Sequence, residues 1–202
     1  MFKKIFKKND NIAWKSDEPT PYVINCFNKG LIKKGDTVID IGCGFGRNSN
    51  WLAAQGVSVM AVNIDKDEIN YAKNRAKALE ISLNYILTDF LKFNNEGIQF
   101  DVALDLGCSH CLSIASQYLF EKKVAKLLKP GGVLVYFGFS KNHPAYNPNN
   151  KRAMYRNIED VLQIYGTDFD VLSQSERSWT PNPKEKSIYQ KHVGLNIVMR
   201  RK

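Results

Sequence analysis

The sequence predicts an α/β domain built on one mostly parallel sheet. Three observations lead there. Short β-rich runs alternate with stretches of helical periodicity, the order expected when crossover helices return the chain to parallel strands. A turn carrying three glycines joins the first of these runs to a helix. The 202 residues suffice for one domain with a sizeable hydrophobic core.

Seven strands are expected, at 37–41 (TVIDI), 57–63 (VSVMAVN), 84–89 (NYILTD), 100–106 (FDVALDL), 133–139 (VLVYFGF), 169–177 (FDVLSQSER) and 194–200 (GLNIVMR). The helices between them show their faces at helical spacing. Ile69, Ala72, Ala76 and Leu79 make one core stripe, and Phe120, Val124, Leu127 and Leu128 another. In PTPYVINCFNKG, Thr20 is placed to cap, Pro21 to open and Gly30 to stop a first helix. LLKPGG predicts a helix end in a proline and glycine turn before the fifth strand. The one long polar loop, at 140–152, follows that strand and is placed to cover a pocket, because ligands of open α/β sheets sit beyond the carboxyl ends of the strands.

Composition excludes several classes. With 44% hydrophobic and 24% charged residues, the chain reads as an ordinary globular protein. It has no apolar run near the roughly 18 residues of a membrane span. Its start, MFKKIFKKNDN, lacks the apolar core of a secretory signal, so the cytoplasm is expected. The four cysteines, Cys26, Cys43, Cys108 and Cys111, are too few and too scattered for a disulfide scaffold and read as thiols. The formal charge of +9 has a large share at the two ends. Phe2, Ile5 and Phe6 fit one side of a short basic helix that could touch lipid or RNA; a solvated terminus is the simpler expectation. The chain divides into a basic tail and lid segment at 1–19 and one domain at 20–202.

VIDIGCGFGRNSNWLA, at 38–53, raises the functional question. Glycines at a strand-to-helix turn let backbone N–H groups and a helix start approach a ligand closely. Gly42, Gly44 and Gly46 are followed by Arg47, so the third glycine of a dinucleotide fingerprint is missing, and no Gly-Lys-Ser/Thr closes a phosphate loop. Asp40 would repel a pyrophosphate and attract a cation. The expected ligand therefore carries positive charge.

DIGCGFGR, followed by a second strand, TDF and FDVALDLGCSHCL, resembles the class I S-adenosylmethionine-dependent methyltransferases. Among these, the tellurite-resistance and thiopurine-type small-molecule enzymes look closest, because WKSDEPTPYVINCF is similar to their lid and first helix. The resemblance spans about residues 20–140 in motif order. It implies a single Rossmann-like domain with a seven-stranded, mostly parallel sheet, helices on both faces and an antiparallel last strand. It also implies that S-adenosylmethionine is bound by Asp40, Gly42, Cys43, Gly44 and Gly46, with Asn63 and Ile64 at the ribose, Asp89 and Phe90 at the adenine, and Leu106 at the fourth strand tip. Family members usually carry an acid where Asn63 stands. The loss of that charge-assisted bond implies weaker cofactor binding or rescue by Asp65.

Methyl transfer from a sulfonium is an in-line displacement, for which alignment is the main contribution. A base is needed only if the acceptor carries a proton. His110, in DLGCSHCLS after the fourth strand, is the candidate base or substrate ligand, with Cys108 beside it. Tyr22, His143 and Tyr146 are candidates for the acceptor pocket; Trp14 and Trp51 could add an aromatic wall, with Trp51 the more ordinary packing residue. Arg47 could cap the turn or meet the cofactor's carboxylate. Cys108 and Cys111 form a C-x-x-C with no second pair, so no metal is expected. A thiolate cluster holding a soft metalloid is the less ordinary reading of the cysteines. The function expected is methyl transfer to a small thiol, hydroxyl or amine. An RNA methyltransferase is the first alternative, although DLGCS stands where adenine N-methylating members carry a base-flipping motif. A non-catalytic cofactor-binding module is the second.

Overall fold

A computed structural model of the chain describes residues 15–149, 155–181 and 189–202. Phe2, Ile5, Phe6, Trp14 and the 150–152 end of the polar loop lie outside them. In chain order the elements are α1 (Pro21–Asn28), β1 (Thr37–Ile41), α2 (Arg47–Ala54), β2 (Ser58–Asn63), α3 (Lys66–Ala78), β3 (Asn84–Leu87), β4 (Phe100–Leu106), α4 (Ile114–Leu127), β5 (Leu128–Ser140), β6 (Tyr155–Arg156), α5 (Ile158–Tyr165), β7 (Phe169–Trp179) and β8 (His192–Arg201). The strands order as β3-β2-β1-β4-β5-β8-β7, with β6 pairing on β5. Every pairing is parallel except those of β8, which runs antiparallel to both β5 and β7. The seven-strand path expected from the sequence is present, and the two-residue β6 is added to it.

Each face of the sheet carries its own core, because alternate residues of a strand point to opposite sides. Ile39 and Ile41 of β1 join Leu134 and Tyr136 of β5 under Phe120 and Val124 of α4 and Val161 and Ile164 of α5. On the other side Val38, Leu104 and Val135 meet Val23 and Cys26 of α1, Leu52 of α2, and Ile69 and Ala72 of α3. The chain winds away from β1 in both directions, so a crevice opens beyond the carboxyl ends of β1 and β4.

Several local expectations are corrected. Leu79 leaves its stripe: it is the C-cap of α3 and 52% exposed, whereas Ile69, Ala72 and Ala76 are buried. Thr20 stands at the N-cap of α1 but makes no capping bond; its N–H and hydroxyl donate instead to Asn48 Oδ1 at 2.8 and 3.0 Å. No separate turn divides α4 from β5, since the lysine, proline and glycines after Leu128 form the irregular start of the strand itself. β3 ends at Leu87, short of Asp89. β7, at the sheet edge, is exposed from Asp170 onward, and its charged and polar side chains discourage pairing with another chain.

Candidate functional site

The glycine turn hangs on the neighbouring strand. Gly42 and Cys43 donate their N–H groups to the Val62 carbonyl at 2.8 and 3.1 Å, which brings the tip of β1 beside Asn63 at the tip of β2. Gly42, Gly44 and Gly46 have φ of +71°, +56° and +76°, backbone that glycine adopts without a side-chain clash. A Cβ at Gly42 would lie 2.7 Å from Cys108 Sγ, so the turn and the loop after β4 close on each other there. One at Gly46 would lie 2.3 Å from the Tyr85 hydroxyl and 2.8 Å from Ala72 Cβ.

Three consecutive polar residues of α2, Asn48, Ser49 and Asn50, are buried and fix the turn from behind. Asn48 takes the two bonds from Thr20, Ser49 Oγ donates to Asp40 at 2.5 Å, and Asn50 accepts from the Tyr85 hydroxyl at 2.9 Å. Their signal was a polar run where an amphipathic helix should turn an apolar face inward. Asp40 is therefore not open at the strand tip, since its 3%-exposed carboxylate is turned into the α2 interface. Burial raises its pKa to about 6, against the lowering effects of the Ser49 bond and the Arg47 charge.

At β2, Asn63 Nδ2 donates to Glu68 Oε2 at 2.6 Å. Glu68 belongs to the first turn of α3 and returns a carboxylate to the place where Asn63 lacks one. Asp65 is occupied otherwise: it caps α3, accepting from the N–H groups of Asp67 and Glu68. Ile64 beside it is 68% exposed. The Thr88 N–H donates to the Asn63 carbonyl at 2.9 Å, placing the segment after β3 against the same tip. Asp89 there caps a short 3₁₀ turn through Leu91 N–H at 2.9 Å, and the Phe90 ring is buried in the core.

The loop after β4 is set by Asp105, a fully buried residue that the sequence reading passed over. Asp105 accepts from Cys108 and Ser109 N–H at 3.1 and 3.0 Å and from the Tyr165 hydroxyl at 3.3 Å. This arrangement holds His110 on a 3₁₀ turn, 5% exposed, its Nδ1 without a partner. Burial, and secondarily the Arg156 charge, lower its pKa to about 4, so the ring is neutral at physiological pH. Burial also pushes the Cys43 and Cys108 thiols well up, helped by Asp40 and Asp105 respectively. Both are held as neutral thiols in the resting site. Among the described residues no group of three or more His, Cys, Asp or Glu side chains is arranged to hold a metal ion.

His143 and Tyr146 stand two strands away from the glycine turn, over β5 and β8. His143 Nε2 lies 2.6 Å from His192 Nδ1, and Tyr146 packs at 6.1 Å from Tyr155. Phe139 links this group to the β4 loop, with its ring 5.3 Å from His110 and 5.1 Å from His143. Leu106 is half-buried at the end of β4. Trp51 packs edge-on against Phe27 at 5.4 Å, as ordinary packing. Before α1, the segment from Lys15 crosses the turn: Lys15 Nζ lies 5.7 Å from the Phe45 ring and 5.2 Å from the Tyr71 ring, and Asp17 pairs with Arg75 at 2.8 Å. A separate groove, lined by Lys33, Asp101, Lys129 and Arg200, opens at the opposite end of the sheet, where Asp101 is already paired with Lys129 at 2.7 Å.

Residues 38–132 match a family model described as a methyltransferase domain. The matched stretch runs from β1 into β5 and includes the glycine turn, Asn63, Asp89 and His110. The "Ubiquinone biosynthesis O-methyltransferase" of Coxiella burnetii (strain Dugway 5J108-111) is 30% identical to it over 127 residues, which are 62% of this chain and 53% of that relative. The chain thus spans about half the length of the curated relatives it matches. Among solved structures, the N-methyltransferase NodS from Bradyrhizobium japonicum WM9 in complex with S-adenosyl-L-homocysteine shares 18% identity and a TM-score of 0.72, covering 96% of this chain and 93% of that one. TehB from Haemophilus influenzae gives the same identity and TM-score over 89% of this chain and 61% of that one. At such identity these likenesses bear on the fold. No helix among the described residues is long and apolar enough to cross a membrane.

Proposed function

We propose that the chain binds S-adenosylmethionine across the tips of β1, β2 and β3 and transfers its methyl group to a small-molecule thiol, hydroxyl or amine lying beyond β4 and β5. The observation that carries this reading is convergence. Backbone bonds join the glycine turn, Asn63 and the segment leading to Asp89 at one crevice.

The donor set suits the cofactor. Asp40, turned toward Ser49 behind the glycine turn, attracts an ammonium through space rather than by direct contact. Asn63 and Glu68 together offer acceptor and donor groups for vicinal hydroxyls. Asp89 offers a carboxylate to an exocyclic amine. Once bound, the cofactor supplies a methyl group on a sulfonium, displaced in line by the acceptor's lone pair while the C–S electron pair stays on sulfur. His110, neutral and with Nδ1 unpartnered, accepts a hydrogen bond from a hydroxyl or amine acceptor and so orients its lone pair, a substrate ligand more than a base at a pKa of about 4. Cys108, protonated and packed against Gly42, contributes shape rather than charge. The domain runs from 20 to 202, with residues 15–19 acting as a cover over the turn.

The likeness to a ubiquinone biosynthesis O-methyltransferase supports a small acceptor over RNA. The test is to supply tritiated-methyl cofactor with a cell extract. The proposal expects label in the low-mass fraction. Label confined to RNA, or none in any fraction, contradicts it.

A further inference from the structure

The antiparallel pairings of β5, β8 and β7 gather one group of side chains on one face. Phe139 pairs with Gly194, which pairs with Arg177; Trp179 pairs with His192; and Phe137 pairs with Asn196. Cross-strand partners share a face, as do residues two apart, so Phe137, Phe139, Arg177, Trp179 and His192 lie together. It is the face covered by α1, because Val135, two residues before Phe137, shares a core with Val23 and Cys26.

The aromatic rings form a slab. Trp179 lies at 15° to Phe139 with centroids 6.4 Å apart, and at 27° to His192 with centroids 5.4 Å apart. Phe137 closes one end at 5.8 Å from Trp179. Its ring lies over Gly194, where a Cβ would come within 2.6 Å of it. The wall stays partly open, with Trp179 38% exposed. It reaches the reaction side through Phe139, 5.3 Å from His110.

The polar groups on this face give it a sign. Arg177 makes no ion pair or side-chain hydrogen bond among the described residues. Tyr22 of α1 packs on the core of the same face, and its hydroxyl oxygen is buried and has no partner. Glu176, the nearest acid in sequence, points to the opposite face and accepts from Ser140 and Asn142. Burial, and secondarily His192, lower the His143 pKa. Ala145 N–H donates to His143 Nδ1 at 2.9 Å, which places the His143 proton on Nε2, where it donates to His192 Nδ1.

We propose that this face is the acceptor site and that it takes a flat aromatic acceptor bearing a carboxylate. Arg177 and the Tyr22 hydroxyl hold the carboxylate, while Phe137, Phe139 and Trp179 hold the ring. A planar guanidinium fork and one hydroxyl match the two oxygens of a carboxylate, and a cationic acceptor would meet an uncompensated positive charge. The inference rests on the methyl-transfer reading and names its substrate class.

The experiment is calorimetric titration of the full chain with 4-hydroxybenzoate, 4-hydroxybenzyl alcohol and tyramine, with and without saturating S-adenosylhomocysteine. The carboxylate is expected to bind about tenfold or more tightly than the neutral alcohol, the size of effect a charge-assisted bond supplies. Arg177→Gln should abolish that preference and Arg177→Lys should keep part of it, with S-adenosylhomocysteine affinity unchanged in both as the check on folding. Equal binding of the three probes, tighter binding of tyramine, or no binding of any would overturn the assignment. Arg177-dependent selectivity without S-adenosylhomocysteine binding would sustain the anionic aromatic site and remove the methyl-transfer reading.

Discussion

Asn63 Nδ2 and Glu68 Oε2 are 2.6 Å apart, so the carboxylate missing from the tip of β2 is supplied by the first turn of α3. The pair works as one unit. Glu68→Gln should weaken S-adenosylhomocysteine binding by about tenfold, in line with the ~1.5–3 kcal/mol of a hydrogen bond to a charged group. Asn63→Asp should also weaken it, because two carboxylates would then face each other. The double change Asn63→Asp with Glu68→Gln should recover most of the loss. Titration of the three variants checks this, and tighter binding by Asn63→Asp alone would show that Glu68 takes no part.

Gly46 is tied to Tyr85. A side chain there meets the Tyr85 hydroxyl and Ala72 Cβ and must adopt a φ of +76°. Gly46→Ala should destabilise the fold by about 2 kcal/mol, within the usual 1–3 kcal/mol for overpacking and with added backbone strain. Denaturant unfolding reads the effect. A change below ~0.5 kcal/mol would mean that α2 shifts freely against β3.

These contacts mark what the sequence could and could not convey. The strand cores were legible because β-branched runs buried on both faces carry their own signal, as TVIDI does. The glycine turn was legible because left-handed backbone selects glycine. β6 was not, since two residues have no period. Glu68 was hidden because its role depends on how α3 packs back over β2. Arg177, Trp179 and His192 were hidden by register: β7 carries an irregularity between Val171 and Ser173, and only the observed pairing shows which face each later residue takes. Asp105 was visible as a second acid in an apolar strand; its bonds to Cys108 and Ser109 N–H are local, but its third partner, Tyr165, lies far along the chain.

Two buried groups give opposite pH slopes. The Asp40 pKa is raised to about 6, so its folded form holds a proton more readily, and its contribution to stability is lost as pH rises from about 4 to 6. The His110 pKa is lowered to about 4, so its contribution is present above pH 6.5 and lost as pH falls toward 4. Asp40→Asn should steepen the loss of stability on acidification, and His110→Gln should flatten it. Unfolding at pH 4.5, 5.5 and 7 separates the two. Identical slopes in both variants would contradict the assignment.

Glu121 in α4 is fully buried with no hydrogen-bond partner on either carboxylate oxygen; its ion pair with Lys122 is long, at 3.6 Å, because Lys122 also holds Asp168 at 2.5 Å, and Asp168 adds to the rise in its pKa. Burial raises the Glu121 pKa to about 7. The penalty for its charge is therefore absent below about pH 4.5 and complete above pH 7. Glu121→Gln should raise stability at pH 8 by about 1 kcal/mol, at the low end for an unsatisfied buried group, with the gain vanishing near pH 4.5. A loss of stability at pH 8 would mean that the Glu121 charge is compensated.

The central claim is that the crevice at β1, β2 and β3 holds S-adenosylmethionine. Calorimetric titration with S-adenosylhomocysteine, with NADH as control and Asp40→Ala as variant, tests it most directly. Saturable one-site binding of S-adenosylhomocysteine, none of NADH, and marked weakening in the variant are expected. Absence of S-adenosylhomocysteine binding, or binding indifferent to Asp40, would contradict it.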